Sequence, residues 1–194
     1  MEKWRKMRVI AGTARSIPLV TPEGMDTRPT TDRIKETLFN VLQFELANSC
    51  FLDVFAGSGA IGIEAVSRGA GSAFFIDSSR QAAACIEKNI KKCHFESNCK
   101  LIQSEAVSGI NKFSRDYNKE EFDRLIVFMD PPYDKGLEYP VLKILMDSDL
   151  IDEDSIIIVE TSLKADLSET EKYGYEIYKE KKYKNQKHVF LRKG

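Results

Sequence analysis

The stretch FLDVFAGSGAIGIEA, residues 51–65, decides the fold. Its first residues are apolar and typical of a buried strand, its glycines allow a turn, and its last residues favour a helix. Gly57, Gly59 and Gly62 match the spacing G-x-G-x-x-G in the strand–turn–helix context that this motif requires. Glycine permits a sharp turn and a close approach of a ligand to the backbone. The alternative is a turn that only packs the helix against the sheet.

The same alternation of strands and helices continues along the chain. Apolar runs predict strands at residues 50–55, 73–77, 99–104, 124–130 and 155–161. Helices are predicted between them, at about 60–69, 79–94, 105–117 and 137–148. Continuous apolar strands separated by helices indicate an α/β fold with a doubly wound, mostly parallel sheet that is covered on both faces. Right-handed crossovers fix its winding.

Both ends of the chain depart from this alternation. The strand-like runs YEIYKEKKY and KHVFLRK, separated by residues 184–186, predict an antiparallel C-terminal hairpin. MRVIAGTARSIPLV, residues 7–20, predicts a small N-terminal hairpin. The next helix, capped by Thr30 or Thr31, has one apolar stripe made of Ile34, Leu38, Val41, Leu42 and Leu46. We expect a single domain over residues 1–194, with residues 1–29 as a hairpin and loop appendage.

Composition excludes several classes of protein. The chain has 194 residues, of which 42% are hydrophobic and 30% charged, as in an ordinary globular domain. It has no apolar run of about 18 residues and no signal-peptide pattern, so we expect neither a membrane partner nor export. The cysteines lack the paired spacing of a metal site, which favours a reducing cytoplasm and no metal; they are Cys50, Cys85, Cys93 and Cys99.

The net charge of −1 conceals an uneven distribution. Residues 1–36 hold eight Lys/Arg and five Asp/Glu, and residues 171–194 hold eight and three. The middle segment keeps thirteen and twenty-two, so both ends are basic around an acidic body. Such ends are either solvated faces or surfaces that converge on an anionic partner, and charge alone does not separate the two.

Two carboxylates suggest which ligand the glycine turn holds. Asp77, at the end of the second predicted strand, can accept hydrogen bonds from a ribose diol. Asp53 would oppose the pyrophosphate of a dinucleotide but suits the ammonium and sulfonium of S-adenosylmethionine, if it faces the pocket. Glu105, after the third strand, is either an adenine contact or a helix-start residue. The predicted cofactor-binding residues are Asp53, Phe55, Ala56, Gly57, Ser58, Gly59, Asp77, Ser78, Glu105 and Ala106.

The tetrapeptide DPPY, residues 130–133, ends the fourth predicted strand at the same rim of the sheet. Pro131 and Pro132 have no N–H, so the site presents acceptors without competing donors. The Asp130 carboxylate and the Pro131 carbonyl match a planar exocyclic amine that has two N–H bonds. Tyr133 offers a flat face on which a base can stack. The alternative is a strand that stops at a rigid turn, with Tyr133 as a packing residue.

These motifs together resemble a known family. DVFAGSGAIG and DPPY are similar to the cofactor and catalytic motifs of S-adenosylmethionine-dependent methyltransferases that modify base amines. With MRVIAG and RPTTDRIKETLFNVL, the chain from Met7 to about Leu191 resembles the bacterial 16S ribosomal RNA guanine-N2 methyltransferases of the RsmD type. The resemblance implies a Rossmann-like class I methyltransferase with a seven-stranded sheet whose last strand is inserted antiparallel. It also implies Asp130, Pro131, Pro132 and Tyr133 as the catalytic residues.

The resemblance further implies methylation of one guanine N2 in the 30S subunit or its assembly intermediate, by a cytoplasmic enzyme that we expect to be a monomer. We predict that RNA binds through basic residues of both ends, namely Arg8, Arg15, Arg28, Arg33, Lys181, Lys182, Lys184 and Lys187. The alternatives are a DNA adenine-N6 methyltransferase, a nicotinamide-dependent oxidoreductase and a non-enzymatic RNA chaperone. The length of 194 residues leaves little room for a separate DNA-reading domain.

Overall fold

The computed structural model describes residues 7–22, 32–133 and 135–194. The predicted caps Thr30 and Thr31 and the predicted RNA contact Arg28 lie outside these ranges. Seven strands are described, namely β1 Ser49–Val54, β2 Ser72–Asp77, β3 Cys99–Gln103, β4 Arg124–Met129, β5 Ile156–Ser162, β6 Tyr175–Lys182 and β7 Gln186–Lys193. Their α-helices are α1 Asp32–Val41, α2 Ala60–Ser67, α3 Arg80–Cys93, α4 Ala106–Asp116 and α5 Glu138–Met146. The predicted parallel strands and the helices between them are confirmed to within two residues at each end.

The strands form one sheet in the order β3-β2-β1-β4-β5-β7-β6. β1 lies near its middle and pairs in parallel with β2 on one side and with β4 on the other. The chain therefore winds in opposite directions from β1, and the crevice at the carboxyl ends of β1 and β4 is the topological switch point, where α/β sheets bind their ligands. The carboxyl ends of the parallel strands are called the rim below.

The C-terminal hairpin is inserted into the sheet. β7 pairs antiparallel with β5 and with β6, so β7 is an interior strand and β6 is the edge. The register Ser162↔Gln186 places the turn between β6 and β7 beside the carboxyl end of β5. The predicted fold class, a mostly parallel seven-stranded sheet with an antiparallel C-terminal strand, is confirmed.

Helices cover both faces, because side chains along each strand alternate between the two faces. Phe51 of β1 joins the cluster that contains residues of α1, α2 and α3. Leu52 and Val54 join the other, which contains residues of α4 and α5. All six residues of β1 are buried, as expected for a central strand covered on both sides. No helix in the described ranges is long and apolar enough to cross a bilayer.

Residues 7–22, here called the N-terminal arm, form the predicted small hairpin as a short antiparallel pairing without extended strands. A bridge joins Arg8 to Pro18, and main-chain hydrogen bonds from Val9 N–H to Ile17 O and from Leu19 N–H to Met7 O flank it. The arm lies along α2. The Thr13 N–H donates to Ser67 O at 2.8 Å, and a Cβ on Gly12 (φ +82°) would lie 1.7 Å from that same oxygen, so the close contact requires glycine.

A buried ionic cluster fixes the arm to α2. The Glu64 carboxylate accepts the N–H groups of Ile10 and Ala11 at 2.8 and 3.0 Å. It also pairs with the Lys35 ammonium at 3.2 Å and with the Arg68 guanidinium at 2.8 Å. Lys35 and Glu64 are both 0% exposed. Burial lowers the pKa of Lys35, although the charge of Glu64 opposes this effect. Lys35 lies in the stretch RPTTDRIKETLFNVL, so part of that motif docks the arm.

Candidate active site

The three glycines of the 51–65 stretch have different structural roles. Gly57 and Gly59 have φ values of 56° and 72°, in the left-handed region that glycine adopts without strain. A Cβ on Gly57 would meet nothing within 4 Å, so one side of the turn is open. A Cβ on Gly62 would lie 2.5 Å from the Phe75 ring, so Gly62 allows α2 to pack closely on β2. The turn thus combines an open backbone with a tightly packed helix, as a ligand-binding loop requires.

Phe55, between β1 and the turn, is strained. Its φ is 64°, a conformation that is rare for a bulky side chain, and its ring packs against the α4–α5 side of the core. Strain of this kind persists only where the surroundings impose it, and it clusters at functional sites. The structure thus supports a functional role for the 55–59 turn.

Asp53 lies deeper than the sequence argument assumed. Its side chain is 2% exposed, and its Oδ2 accepts the Gly62 N–H of α2 at 3.0 Å. Burial raises the pKa of Asp53 to about 8, the hydrogen bond from Gly62 lowers it, and the charge of Asp77 raises it further. Asp53 therefore holds the start of α2 beneath the loop, and an added cation nearby would lower its pKa.

The Asp53 pKa predicts a pH dependence of stability. Because the folded pKa of about 8 exceeds the ordinary value of 3.8, the folded state disfavours the charged form. The contribution of Asp53 to the free energy of unfolding should be most favourable below about pH 4 and should fall as the pH rises towards 8. Asp53→Asn keeps an acceptor for the Gly62 N–H and has no charge to bury. We therefore expect its free energy of unfolding at pH 8 to exceed that of the native protein by on the order of 2–5 kcal/mol.

Urea unfolding between pH 4 and pH 8, followed by circular dichroism, measures this difference. Asp149→Asn, at an exposed position, is the matched control and should keep the native pH slope. Equal slopes for Asp53→Asn and the native protein would contradict the assignment of a buried, weakly acidic Asp53.

Asp77 joins the glycine turn to the next helix. Its Oδ2 accepts the Gly57 N–H at 2.8 Å and its Oδ1 accepts the Ser79 N–H at 2.9 Å. Each carboxylate oxygen keeps a further lone pair, so Asp77 retains the acceptor capacity that the predicted contact with a ribose diol requires. Ser78 and Glu105 are exposed on the same rim, and Glu105 precedes α4 without a capping hydrogen bond from its side chain.

Asn89 is a residue of this site that the sequence argument missed. Fully buried in α3, it donates through Nδ2 to Ser58 O and to Val20 O, both at 2.9 Å. Its Oδ1 accepts the Val20 N–H at 2.8 Å. Asn89 thus links the glycine turn to the N-terminal arm. The available signal was an amide on the apolar face of an amphipathic helix, where a polar group requires partners.

Asp130 follows β4 directly and lies beside the end of β1, where its N–H donates to Val54 O at 3.4 Å. Burial raises the pKa of Asp130 well above its usual range, and the charges of Glu160 and Asp53 add to this effect. Pro131 is buried and Pro132 is exposed. The structure therefore places the Asp130 carboxylate at the switch point, one strand from the glycine turn, as predicted.

Glu160, at the end of β5, is a second carboxylate that the sequence argument missed. The Tyr133 hydroxyl donates to Glu160 Oε1 at 3.2 Å, and the Gln186 side-chain amide donates to the same oxygen. The His188 ring Nε2 lies 2.7 Å from Glu160 Oε2, and the Tyr183 hydroxyl lies 3.0 Å from His188 Nδ1. A carboxylate at a strand end in VETS was the available signal, but its partners depend on β7.

The predicted RNA contacts divide into different regions. Lys181, Lys182 and Lys184 are exposed around the turn between β6 and β7, at the rim. Arg8 and Arg33 are also exposed, and Arg8 pairs with Asp32 at 3.1 Å.

Two predicted contacts differ from expectation. Lys187 is 6% exposed and its ammonium pairs with Glu180 at 2.6 Å, so it is a structural residue within the sheet. Arg15 follows the segment bound to Ser67 at the far end of α2, away from the rim.

The arrangement fits a methyl donor and an amine acceptor. The open backbone at Gly57 and the Asp77 carboxylate suit the uncharged sugar part of S-adenosylmethionine, and the Asp130 carboxyl group at the neighbouring strand end suits an amine. Two open surface cavities of about 370 and 390 Å³ lie elsewhere and contain none of the predicted site residues. In the described part of the chain, no group of three or more His, Cys, Asp and Glu side chains could hold a metal ion.

The sheet order, the glycine turn and the carboxylate after β4 define the Rossmann-like fold of class I methyltransferases. A solved Escherichia coli structure, yhhF, named as a candidate methyltransferase, is 30% identical with a TM-score of 0.77, covering 97% of this chain and 98% of that one. A Thermus thermophilus structure, 22% identical, has a TM-score of 0.77 over 95% and 98% of the two chains and shows the fold alone.

The chain belongs to the family described as conserved hypothetical protein 95, whose model matches residues 7–192. Escherichia coli (strain K12) ribosomal RNA small subunit methyltransferase D is 35% identical over 159 residues, which are 82% of this chain and 76% of that relative. Its Haemophilus influenzae namesake is 35% identical over 160 residues, 80% and 79% of the two chains. The resemblance to the RsmD type is confirmed.

Proposed function

We propose that this protein transfers a methyl group from S-adenosylmethionine to the exocyclic N2 amine of a guanine in small-subunit ribosomal RNA. The observation that carries the proposal is the Asp130 carboxylate, which follows β4 directly at the switch point beside the glycine turn. The relatives are named as small-subunit ribosomal RNA methyltransferases, which supports the RNA substrate. The planar amine chemistry of DPPY supports an exocyclic nitrogen.

The chemistry divides between the cofactor and the chain. S-adenosylmethionine supplies an electrophilic methyl carbon. The carboxylate of Asp130 and the carbonyl of Pro131 accept hydrogen bonds from the two N–H groups of the amine. These bonds orient the amine nitrogen towards that carbon. When bound, S-adenosylmethionine would supply the methyl group and its sulfur would be the leaving group, and the nitrogen that gains the methyl group would lose one proton. Asp130, whose pKa is raised, accepts that proton, and water removes it afterwards.

The same proposal assigns roles to the predicted residues. Asp130, Pro131, Pro132 and Tyr133 act on the base. The cofactor is held by the loops at the rim, with Gly57, Gly59 and Asp77 at its centre and Asp53 beneath. We treat residues 1–194 as one methyltransferase domain with residues 1–29 as its appendage, acting as a cytoplasmic monomer on the 30S subunit or its assembly intermediate.

Mass spectrometry of nucleosides from rRNA tests the proposal. Purified protein, S-adenosylmethionine with a labelled methyl group, and 30S particles or deproteinised 16S rRNA from cells lacking this protein should yield N2-methylguanosine. N6-methyladenine in supplied DNA would favour the adenine alternative. Calorimetric binding of NAD without a response to S-adenosylmethionine would contradict the proposal, and binding of RNA without any methyl transfer would favour a chaperone.

The basic tip of the β6–β7 turn predicts salt-sensitive RNA binding. Combined replacement of Lys181, Lys182 and Lys184 by alanine should weaken rRNA binding and reduce the slope of log affinity against log salt by about 2, because each phosphate contact releases counterions. Filter binding between low and moderate salt measures the slope.

A matched triple variant tests whether location matters. Lys91 and Lys92 of the last turn of α3 and Lys100 of β3 lie at the opposite end of the sheet from the rim. Their replacement by alanine should leave most of the slope unchanged. An equal effect of the two triple variants would exclude a localised surface at the rim.

A further inference from the structure

Three side chains form a row across the sheet at the height of the catalytic tetrapeptide. The register Met129↔Val159 places Asp130 beside Glu160, one residue further along β4 and β5. The register Glu160↔His188 continues the row onto β7. Asp130 and Glu160 follow Phe128 and Ile158 at a spacing of two, and His188 precedes Phe190 at the same spacing. Because these three core residues pack in the α1–α3 side of the core, Asp130, Glu160 and His188 point to the same face.

Glu160 is the hub of this row. It is 3% exposed, and His188 is 0% exposed. Both carboxylate oxygens are used: Oε1 accepts from Tyr133 and Gln186, and Oε2 lies within hydrogen-bond distance of His188 Nε2. After burial, the charge of Glu160 is the largest contribution to the raised pKa of Asp130, so the two carboxyl groups are close neighbours.

The hydrogen bond to Glu160 restrains the hydroxyl end of the Tyr133 side chain, which the backbone of Tyr133 does not restrain. Pro131 and Pro132 fix two consecutive φ angles, so the main chain that leads to Tyr133 is stiff. The ring itself still turns about its two side-chain torsions. A bond from its hydroxyl, at the opposite end of the ring from the backbone, limits that freedom and holds the ring plane in one orientation.

We infer that Glu160 is a positioning residue: it holds Tyr133 in the orientation in which the ring stacks on the target base, and Gln186 and His188 of β7 hold Glu160 in turn. The inference rests on the proposed function, because it assumes that Tyr133 contacts a base. It assigns to the inserted strand β7 a role in the active site, through side chains that do not touch the substrate.

A double-mutant cycle on steady-state methyl transfer tests this inference. Tyr133→Phe removes only the hydroxyl, and Glu160→Ala removes its acceptor. Each should lower kcat by roughly 10-fold or more, since a small misplacement of a reacting group is costly, while KM for RNA and the Kd for S-adenosylmethionine stay within about threefold. The double variant should lose little more kcat than either single variant, because both substitutions remove the same hydrogen bond.

The conservative variant Glu160→Gln separates positioning from bulk packing. Its amide oxygen can still accept from Tyr133, so we expect kcat within about fivefold of the native enzyme. Glu153→Ala, at an exposed position, is the control and should be silent. Full multiplication of the Tyr133→Phe and Glu160→Ala losses would overturn the inference, and so would native activity of Glu160→Ala.

If Glu160→Ala does not fold, His188→Phe replaces it in the cycle. Phenylalanine can keep the edge contacts of the ring with Phe128 and Phe190 but removes the bond to Glu160. A loss of kcat of about threefold or more that disappears in the Tyr133→Phe background supports the inference. No loss, or an equal loss in both backgrounds, overturns it.

A readout without catalysis distinguishes failure of the inference from failure of the proposed function. The protein has seven tyrosines, so it can be labelled with 3-fluorotyrosine and the Tyr133 resonance assigned by its absence in Tyr133→Phe. The resonance should shift in Glu160→Ala but not in Glu153→Ala. An unshifted resonance overturns the inference, whereas a shift in a protein that methylates no rRNA contradicts the proposed function alone.

Discussion

Replacement of Asp130 by alanine is expected to abolish methyl transfer while binding of S-adenosylmethionine stays within about tenfold of the native value. The side chain lies at the rim and is proposed to serve the acceptor amine, so its loss removes an interaction used in the reaction and spares the glycine turn. We expect kcat to fall by about 10³-fold or more, as when a preorganised electrostatic partner is removed from an enzyme. Asp130→Asn should be similarly inactive, because its amide adds donors that face the amine.

Single-turnover transfer to rRNA and calorimetric titration of the cofactor separate the two effects. Asp154→Ala, at an exposed position, is the matched control and should leave both unchanged. If Asp130→Ala reduced cofactor affinity as much as transfer, Asp130 would be chiefly a cofactor residue and the assignment to the amine would fail.

The second large effect concerns stability rather than chemistry. Glu64→Gln should reduce the free energy of unfolding by roughly 3–5 kcal/mol, because it leaves the buried Lys35 ammonium without its counter-charge. The variant keeps the size of the side chain and one acceptor for the N–H groups of Ile10 and Ala11. The loss therefore reports the ion pair more than the packing.

Urea unfolding followed by circular dichroism measures this loss. The control is Glu176→Gln, which removes the partner of Arg192 in an ion pair whose side chains are 53% and 51% exposed. Exposed pairs contribute little, so the control should stay within about 1 kcal/mol of the native protein. Equal stabilities of the two variants would contradict the importance of the buried cluster. Limited proteolysis of Glu64→Gln should also cut the N-terminal arm earlier than in the native protein.

The position of the site could be predicted from the sequence, because it depends on local patterns. The strand–turn–helix at residues 51–65 and the position of DPPY at a strand end are both readable from apolar periodicity and glycine spacing. Parallel strands then bring their carboxyl ends to one rim, which places Asp130 beside the glycine turn without knowledge of any side-chain contact.

The remaining features depend on register and on which elements pack together. His188 meets Glu160 only because β7 is inserted beside β5, and a shift of one residue would turn it to the other face. The same alternation buries Lys187 beside Glu180, although its sequence context is strongly basic. The depth of Asp53 depends on Gly62, whose N–H points back at the strand end. None of these contacts can be predicted from the local spacing of residues in the sequence.

The inserted strand also imposes an order on the assembly of the sheet. β7 is translated after every other described element, yet it lies between β5 and β6 and carries the side chains that hold Glu160. Until it emerges from the ribosome, β5 has an unpaired edge and the nascent sheet cannot bury it. The complete site therefore cannot form from the segments that precede β7 in the chain, and its assembly waits for this strand.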